Sequence, residues 1–581
     1  MRILFLTHSF NSLAQRLYVE LAEHGHQLSI EFDINDQVAI EAVALFRPDL
    51  ILAPFLKRRI PEAVWRENVC LVVHPGIVGD RGPSALDWAI QRGEAQWGVT
   101  VLQANDVMDG GDIWATRSFP MRAARKSSLY RNEVTEAAVE AVLEAVERFA
   151  CGAFRPQPLD YARADVHGRE HPLMRQEHRR IDWQNDTTES VLAKIRAADS
   201  VPGVLDEVAG LPVCLYNAFR EQSHRGEPGE VLATRNGAIL RATRDGAVWI
   251  THLKLKSEEA TFKLPATKVL GARLQGLPEL ALPALPQKAD GTWQDMFYEE
   301  EDGVGYLHFP IYNGALSTTD CRRLRDALGE AGRRDTRVLV LMGGSDFWCN
   351  GIHLNAIEAA ASPADESWAN IEAMDDLCLA IIDSSKLTVA AMQGNGGAGG
   401  VFLALAADRI WARQGVVLNP HYRGMGNLYG SEYWTYLLPR RVGADASRQI
   451  TQNRLPIGAP EAKRLGLIDA CFGRDGPAFA AEVRARVKEL AADLSLPQWL
   501  EEKRRRRESD EAAKPLARYR AEELEHMKLN FYGFDPSYHV ARYHFVHRMP
   551  HAWTPLHLAR HRINQWQQQA LLRTRAAERS G

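Results

Sequence analysis

Short apolar runs of strand length alternate with amphipathic stretches from the first residues of the chain. RILFLTH, QLSIEFD, DLILAPF and VCLVVHP are nearly continuous apolar runs closed by polar residues or proline. Between them, LAQRLYVELAEHG and DQVAIEAVALF repeat apolar residues at helical spacing, and the second stops before Pro48. Strands buried on both faces and alternating with helices predict a parallel, doubly wound α/β sheet over residues 1–168. A long helix is expected from about Arg131 to Cys151. After Phe154 the pattern changes. GEVLATRNGAILRATRDGAVWITHLK holds short strands parted by the turn signals RNG and RDG, so a small β-barrel or sandwich is expected over residues 169–273. The Leu-, Pro- and Ala-rich residues 274–292 read as a linker. VGYLHFPI, RVLVLMGG and LTVAAMQG then predict a second α/β domain over residues 293–477, and residues 478–581 read as a mostly helical extension. The fold class is therefore multidomain α/β.

Composition narrows the function classes. The 581 residues are 45% hydrophobic and 25% charged, an ordinary globular balance, and the formal net charge of -4 offers no basic stripe for a nucleic acid. No apolar run reaches membrane-spanning length, so no membrane partner is expected. The run after Met1 is flanked by Arg2 and His8 and reads as a first strand rather than a signal-peptide core. Seven cysteines are scattered without a Cys-x-x-Cys, which suits reduced thiols and a cytoplasmic location. No His/Cys cluster has metal-ligand spacing, so no metal is expected.

Candidate chemistry gathers first between His74 and Ile113. His74 follows a buried strand, at the carboxyl edge where open α/β sheets bind ligands, and Asp109 sits in the glycine-flanked turn MDGGD. A histidine and a carboxylate so placed suit proton handling in acyl transfer; a strand-end histidine and a helix-capping aspartate are the plainer alternative. The string His74, Arg81-Gly82-Pro83, Trp88-Ala89-Ile90 with Gly93-Glu94, Gly98-Val99-Thr100 and Met108 to Asp112 resembles the 10-formyltetrahydrofolate-dependent formyltransferases, which include methionyl-tRNA formyltransferase. IDW at Ile181, KIRA at Lys194 and PGEVLA at Pro228 resemble the C-terminal domain of that family, so about 270 residues are covered. The resemblance implies a Rossmann-like domain followed by a small OB-like barrel. It also implies a formyl-folate substrate, His74 and Asp109 as catalytic residues, and Arg81, Gly82 and Pro83 at the substrate. One position departs: the family has Asn two residues before the histidine, and here it is Val72. Asn11, Gln15 and Arg131 are the candidates to supply the missing donor, with a solvated first-turn side chain as the alternative for the last two.

A second concentration begins at Ser345. SDFWCNGIHLNAIE, KLTVAAMQG and the turn MQGNGGAGGVFLALAAD together resemble the crotonase (enoyl-CoA hydratase/isomerase) superfamily, as do YLLPRRVG and AKRLGLID further on. That turn carries five glycines in seven residues, Gly394 to Gly400, and exposes backbone N–H groups at a helix start. The resemblance implies a bound coenzyme A thioester whose carbonyl oxygen is held by the N–H groups of Ile352 and Gly399, with Gly351 beside them. Two positions depart. The first acid of the hydratases is matched by Phe402, and the region of the second, GVVLNPHYRGMG, has no acid. Tyr422 and Glu432 are the polar pair expected to face the thioester; a structural hydrogen bond between neighbouring loops is the alternative. Phe402 in place of a water-activating acid is expected to keep the site dry.

The pairing of these halves resembles the HypX (HoxX) family of hydrogenase maturation factors, the tail NFYGFDPSYHVARYHFVHRM included. What the resemblance implies is formyl transfer from 10-formyltetrahydrofolate to coenzyme A, followed by decarbonylation of formyl-CoA to carbon monoxide. The recipient would be the nickel–iron hydrogenase large-subunit precursor or its maturation machinery. Arg542 is expected at the substrate, with a basic helix packed on the core as the alternative. Two rivals remain at this stage: a transferase that stops at formyl-CoA or a protein amine, and a non-catalytic folate- and CoA-binding assembly factor.

Overall fold

The computed structural model describes residues 1–259 and 261–563. The chain forms two compact units. The first comprises Met1–Ala123, Leu129–Met174 and the segment from Pro550; the second comprises Ala124–Ser128 and Arg175–Met549.

The first unit is built on one sheet of β1 (Arg2–Thr7), β2 (Gln27–Phe32), β3 (Leu50–Ala53), β4 (Cys70–His74), β5 (Gln96–Gln103) and β6 (Ile113–Pro120), ordered β2-β1-β3-β4-β5-β6. The four apolar runs of the sequence are β1 to β4, and they pair in parallel. The sheet is nevertheless mixed rather than wholly parallel, because β5 runs antiparallel to both β4 and β6. The β5–β6 connection is too short for a parallel crossover. The parallel strands end at Thr7, Ala53 and His74 along one edge, and the helix Ser12–Glu23 starts from that edge. The long helix Thr135–Cys151 packs its buried residues against β5 and β6.

β2 is an edge strand, and the C-terminal segment covers it. The Leu558 carbonyl accepts from Ile30 N–H (3.1 Å) and Thr554 Oγ1 accepts from Phe32 N–H (2.8 Å). The buried Glu31 carboxylate receives Thr554 Oγ1, His561 Nε2 (2.9 Å) and Arg562 Nε (2.6 Å). Open edge groups are thus paired within the chain. Glu31→Ala removes the shared acceptor and is expected to loosen the segment from Thr554 to Arg562, read as faster tryptic cleavage at Arg560 and Arg562.

In the second unit, β7 (Val204–Val208), β8 (Leu211–Glu221), β9 (Val231–Arg235), β10 (Ala238–Ala242) and β11 (Ala247–Leu255) form an antiparallel sheet ordered β7-β8-β11-β10-β9, with the short β12 (Leu264–Pro265) paired antiparallel to β11. The RNG signal is the β9–β10 turn, where Asn236 and Gly237 both have positive φ (44° and 84°), as the primed hairpin turn requires. The helix Thr188–Ala198 covers the apolar face. Residues 274–292 are paired rather than free. Thr234 N–H donates to Pro278, Leu280 N–H to Thr234, and Tyr298 N–H to Pro286.

Beyond them lies a six-stranded sheet of β13 (Phe297–Glu301), β14 (Val304–Phe309), β15 (Val338–Gly343), β17 (Leu387–Met392), β19 (Arg409–Arg413) and β22 (Ala470–Phe472). A smaller sheet of β16 (Phe347–Cys349), β18 (Asn395–Gly397), β20 (Val417–Asn419) and β21 (Ile457–Gly458) positions the second site. β16 and β18 run parallel, so residues 350–352 and 398–400 leave this sheet at the same end. The extension contributes the helices Gly476–Ala492, Leu496–Ala513, Leu516–Tyr532 and Ser537–Val546. No helix among the described residues is long and apolar enough to cross a membrane. Residues 564–581 of the expected helical extension lie outside the described residues.

Candidate active sites

His74 closes β4 with its imidazole buried. Its Nε2 lies 2.8 Å from Asp80 Oδ2, and the other Asp80 oxygen lies 3.0 Å from His171 Nδ1. His171 Nε2 accepts from Arg92 Nη1 (2.6 Å), which leaves the His171 proton on Nδ1, pointing at Asp80. The contact is close enough that a Cβ at Gly76 would lie 2.4 Å from His74 Nε2. On the other side of the ring, His74 Nδ1 stands 3.6 Å from Asp109 Oδ1. Asp109 has φ +54°, and its Oδ2 accepts from Gly82 N–H (3.2 Å), while Arg81 Nε donates to the Met108 carbonyl (3.1 Å). Arg81 and Gly82 therefore tie down the turn that carries Asp109. Burial alone would lower the His74 pKa; the Asp80 hydrogen bond and the Asp109 charge outweigh it and raise the value above the usual one. The result is an imidazole braced at Nε2, with its protonated form favoured, facing a carboxylate at Nδ1 across a gap longer than a hydrogen bond.

The structure thus joins His74, Asp109, Arg81 and Gly82, with Pro83 exposed on the same loop. Val72 offers only a partly buried apolar side chain on β4. Asn11 is not part of this group: its oxygen caps the helix Ser12–Glu23 by accepting from Ala14 N–H, and its amide lies 3.5 Å from Tyr130 Oη. Gln15 Nε2 donates to the Phe10 carbonyl, and Arg131 lies in the helical turn Tyr130–Val134. Sequence reasoning missed Asp80 and His171. Asp80 shares the His74 loop and was legible as a nearby acid. His171 is 91 residues from Asp80 and carries no local signal.

In the second unit, a Cβ at Gly351 would lie 3.3 Å from the Gly399 nitrogen, so the segments around Gly351 and Gly399 touch. Gly399 opens the helix Gly399–Leu405, where first-turn N–H groups lack intrahelical acceptors. Ile352 N–H has no acceptor among the described residues. Glu432 packs directly on Gly399: a Cβ there would meet Glu432 Oε1 at 2.0 Å. Tyr422 Oη lies 2.5 Å from Glu432 Oε2 and 3.0 Å from the Ser431 carbonyl. Phe402 is fully buried and stacks on the Tyr422 ring at 5.3 Å. Gly399, Glu432, Tyr422 and Phe402 form one cluster.

Glu432 and Tyr433 both take left-handed backbone (φ +61° and +57°), which two further buried acids hold in place. Glu432 N–H donates to Asp375 Oδ1 (2.8 Å), and Tyr433 N–H and Thr435 N–H donate to Glu523 (3.0 and 2.8 Å). Burial, with the Asp375 charge second, pushes Glu432 up to about 8. Burial likewise pushes Asp375 up to about 7 and Glu523 up to about 8, while the Tyr422 phenol is held well above its usual value. Asp375 was signalled by an acid at a core position of the helix Pro363–Ile382. Glu523 was not, since nothing local separates it from Glu522 and Glu525. Arg542 stands apart from this cluster, buried against Glu358 (2.7 Å) and His539 (2.7 Å). Among the described residues no group of three His, Cys, Asp or Glu is placed to hold a metal ion.

Comparison with known proteins places each cluster within a matched family domain. Residues 14–146 match the formyl transferase family, residues 173–262 the formyl transferase C-terminal domain, and residues 299–527 the enoyl-CoA hydratase/isomerase family. The chain is 54% identical over 564 residues to the hydrogenase maturation factor HoxX of Bradyrhizobium diazoefficiens, covering 97% of this chain and 98% of that one. The chain belongs to the HoxX/HypX family of hydrogenase maturation factors. HypX from Aquifex aeolicus, solved in complex with tetrahydrofolic acid, matches with a TM-score of 0.94 at 51% identity, over 97% of this chain and 99% of that one. The methionyl-tRNA formyltransferase of Citrifermentans bemidjiense is 28% identical over 259 residues, 44% of this chain and 78% of that protein. The HoxX/HypX relatives thus span both units, whereas this formyltransferase matches less than half of the chain. The hydratase/isomerase match runs on past residue 477 into the helix Leu516–Tyr532 and includes Glu523.

Proposed function

We propose that this chain makes carbon monoxide for nickel–iron hydrogenase maturation. It transfers formyl from 10-formyltetrahydrofolate to coenzyme A, then decarbonylates formyl-CoA to carbon monoxide and coenzyme A. The observation that carries this reading is the buried Tyr422–Glu432 pair against Gly399, with Phe402 where a hydratase-like site needs a water-activating acid. The tetrahydrofolic acid bound to the Aquifex aeolicus HypX supports a folate site in the first unit. The recipient is the hydrogenase large-subunit precursor or its maturation machinery, in the cytoplasm.

In the transfer step the coenzyme A thiolate attacks the formyl carbon, a C–S bond forms, and the C–N bond to the folate breaks. The His74 imidazolium gives its Nδ1 proton to the departing nitrogen while Asp80 orients the ring through Nε2, and the Asp109 charge favours the protonated ring. In the second step the formyl C–H and C–S bonds break and carbon monoxide leaves. The neutral Glu432 acid, hydrogen-bonded to the neutral Tyr422 phenol, passes its proton to sulfur, and the resulting carboxylate takes the formyl proton, which returns the pair to its starting state. Ile352 and Gly399 N–H groups hold the thioester oxygen meanwhile.

The test is purified protein with 10-formyltetrahydrofolate and coenzyme A, with carbon monoxide trapped on a ferrous haem protein. Carbon monoxide matching the folate consumed is expected. Formyl-CoA without carbon monoxide leaves a transferase, and neither product leaves a binding protein. Gly399→Ala drives a methyl into Glu432. It is expected to cut carbon monoxide yield while folate consumption continues, with formyl-CoA and its hydrolysis product formate accumulating.

A further inference from the structure

The Ser431 hydroxyl raises a counting problem. Its oxygen lies 3.0 Å from Asp375 Oδ2 and 3.2 Å from Glu523 Oε2, in a fully buried position. A serine hydroxyl has one hydrogen and so donates to one carboxylate. Were both acids ionised, two buried anions would press on one oxygen with a single proton between them, and one contact would be oxygen against oxygen.

The remaining bonds decide where the extra proton sits. Glu523 Oε1 receives both Thr435 N–H and Thr435 Oγ1, and its Oε2 receives Tyr433 N–H, so both its oxygens already face donors. Asp375 differs. Its Oδ1 receives Glu432 N–H, but its Oδ2 faces the serine oxygen, with Arg520 Nε at 3.5 Å. The Arg520 hydrogen bonds go to Asp376 (2.7 Å) and the Glu372 carbonyl (3.2 Å).

We infer that Asp375 is a neutral acid that donates through Oδ2 to Ser431, that Ser431 donates to an ionised Glu523, and that this chain holds Glu432 in place. Asp375 and Glu523 are positioning residues. They touch the backbone of residues 432, 433 and 435 and fix the left-handed loop that sets the Glu432 carboxyl on Gly399. The inference deepens the proposed reaction and rests on it only in taking Glu432 as the group served. The charged and titratable groups facing the chain are Arg520, Asp376, Cys378, Tyr422, Tyr433 and, beside Glu523, Tyr429, with Cys321 and Cys349 on the Glu432 side. Burial raises Asp375 to about 7 and Glu523 to about 8, so both favour a retained proton; it is the three donors facing Glu523, against the single N–H bonded to Asp375, that place it on Asp375.

Two amides test the assignment in the full chain, and their expected outcomes differ. Asp375→Asn puts an N–H where the proton lies and keeps an oxygen for Glu432 N–H. It is expected to unfold at the wild-type temperature at pH 7 and to lose one protonated-carboxyl infrared band. Glu523→Gln turns an N–H against either Tyr433 N–H or the Thr435 donors. It is expected to melt lower and to keep that band. The reverse pattern, or equal tolerance of both, overturns the assignment. For the positioning role, Asp375→Asn removes a neighbour that turns anionic at high pH. The fall in carbon monoxide release with rising pH is then expected to move down by about one unit, a shift that a merely structural acid does not produce. Unchanged profiles in both variants overturn the role. The infrared and melting results need no substrate, so a wild-type protein that makes no carbon monoxide defeats the proposed reaction and leaves the proton assignment standing on its own data.

Discussion

His74→Asn is expected to lower formyl release from 10-formyltetrahydrofolate by a factor on the order of 10²–10⁴, the usual cost of losing a positioned acid. Asparagine keeps polarity near Asp80 and Asp109 but carries no transferable proton. Continuous absorbance of the folate product measures it, and a rate within threefold of wild type removes His74 from the reaction. The pH dependence gives a second handle. The His74 pKa is raised against the effect of burial by the Asp80 hydrogen bond and the Asp109 charge. The acid form therefore persists above the usual histidine value, and transfer should fall as pH rises through the raised value. Asp80→Asn takes away the hydrogen bond to an anion, so that fall should begin at lower pH. The same linkage governs stability: binding its proton more tightly when folded, His74 contributes stability fully present below the usual value and lost as pH rises through the raised one.

How much of this was legible beforehand depends on whether the determining contacts are local. β1 to β4 are continuous apolar runs, and their parallel pairing followed from the helices between them. The antiparallel β5 and β6 were not read, because QWGVTVLQ and the turn after it were taken for their motif chemistry rather than as a pair of strands. Asp109 was read in its glycine turn, and the bonds from Gly82 and Arg81 give that turn its physical reason. The Asp80–His171 contact joins residues far apart in the chain, and only the folded sheet brings them together. Residues 274–292 misled for a different reason. Proline-rich composition fits a free linker and an extended strand-like partner equally well, and here the backbone is paired along β9 and β13. In the second unit, Tyr422 and Glu432 were found by elimination, as the polar residues left where the expected acids are missing. The acids that hold Glu432 come from helices before and after it, and their registry is set by packing.

Glu432→Gln is expected to reduce carbon monoxide release by a factor on the order of 10²–10⁴ while folate consumption continues. The substitution separates chemistry from structure. Burial pushes Glu432 up to about 8, so the neutral acid is its main form near pH 7, and a neutral amide of the same shape replaces it with little strain. Gln keeps an oxygen for Tyr422 Oη and Ser431 N–H, which now contact Oε2, and Gly399 still has a side chain against it. What is lost is the proton that travels to sulfur. In the wild type the sign is fixed by the raised value: release should fall as pH rises through about 8, and the residual rate of the amide should be flat. Stability follows the same direction. An acid whose folded pKa lies above its usual value holds its proton more tightly when folded, so the protein loses stability as pH rises from about 4.5 to about 8, and Glu432→Gln should flatten part of that slope. Formyl-CoA that is not decarbonylated should accumulate rather than be hydrolysed on the protein. Phe402 fills the space beneath Tyr422 and leaves no carboxylate there to activate water. Rapid formate production by Glu432→Gln would mean that water reaches the thioester despite Phe402. Carbon monoxide release at the wild-type rate would mean that the formyl proton moves without Glu432.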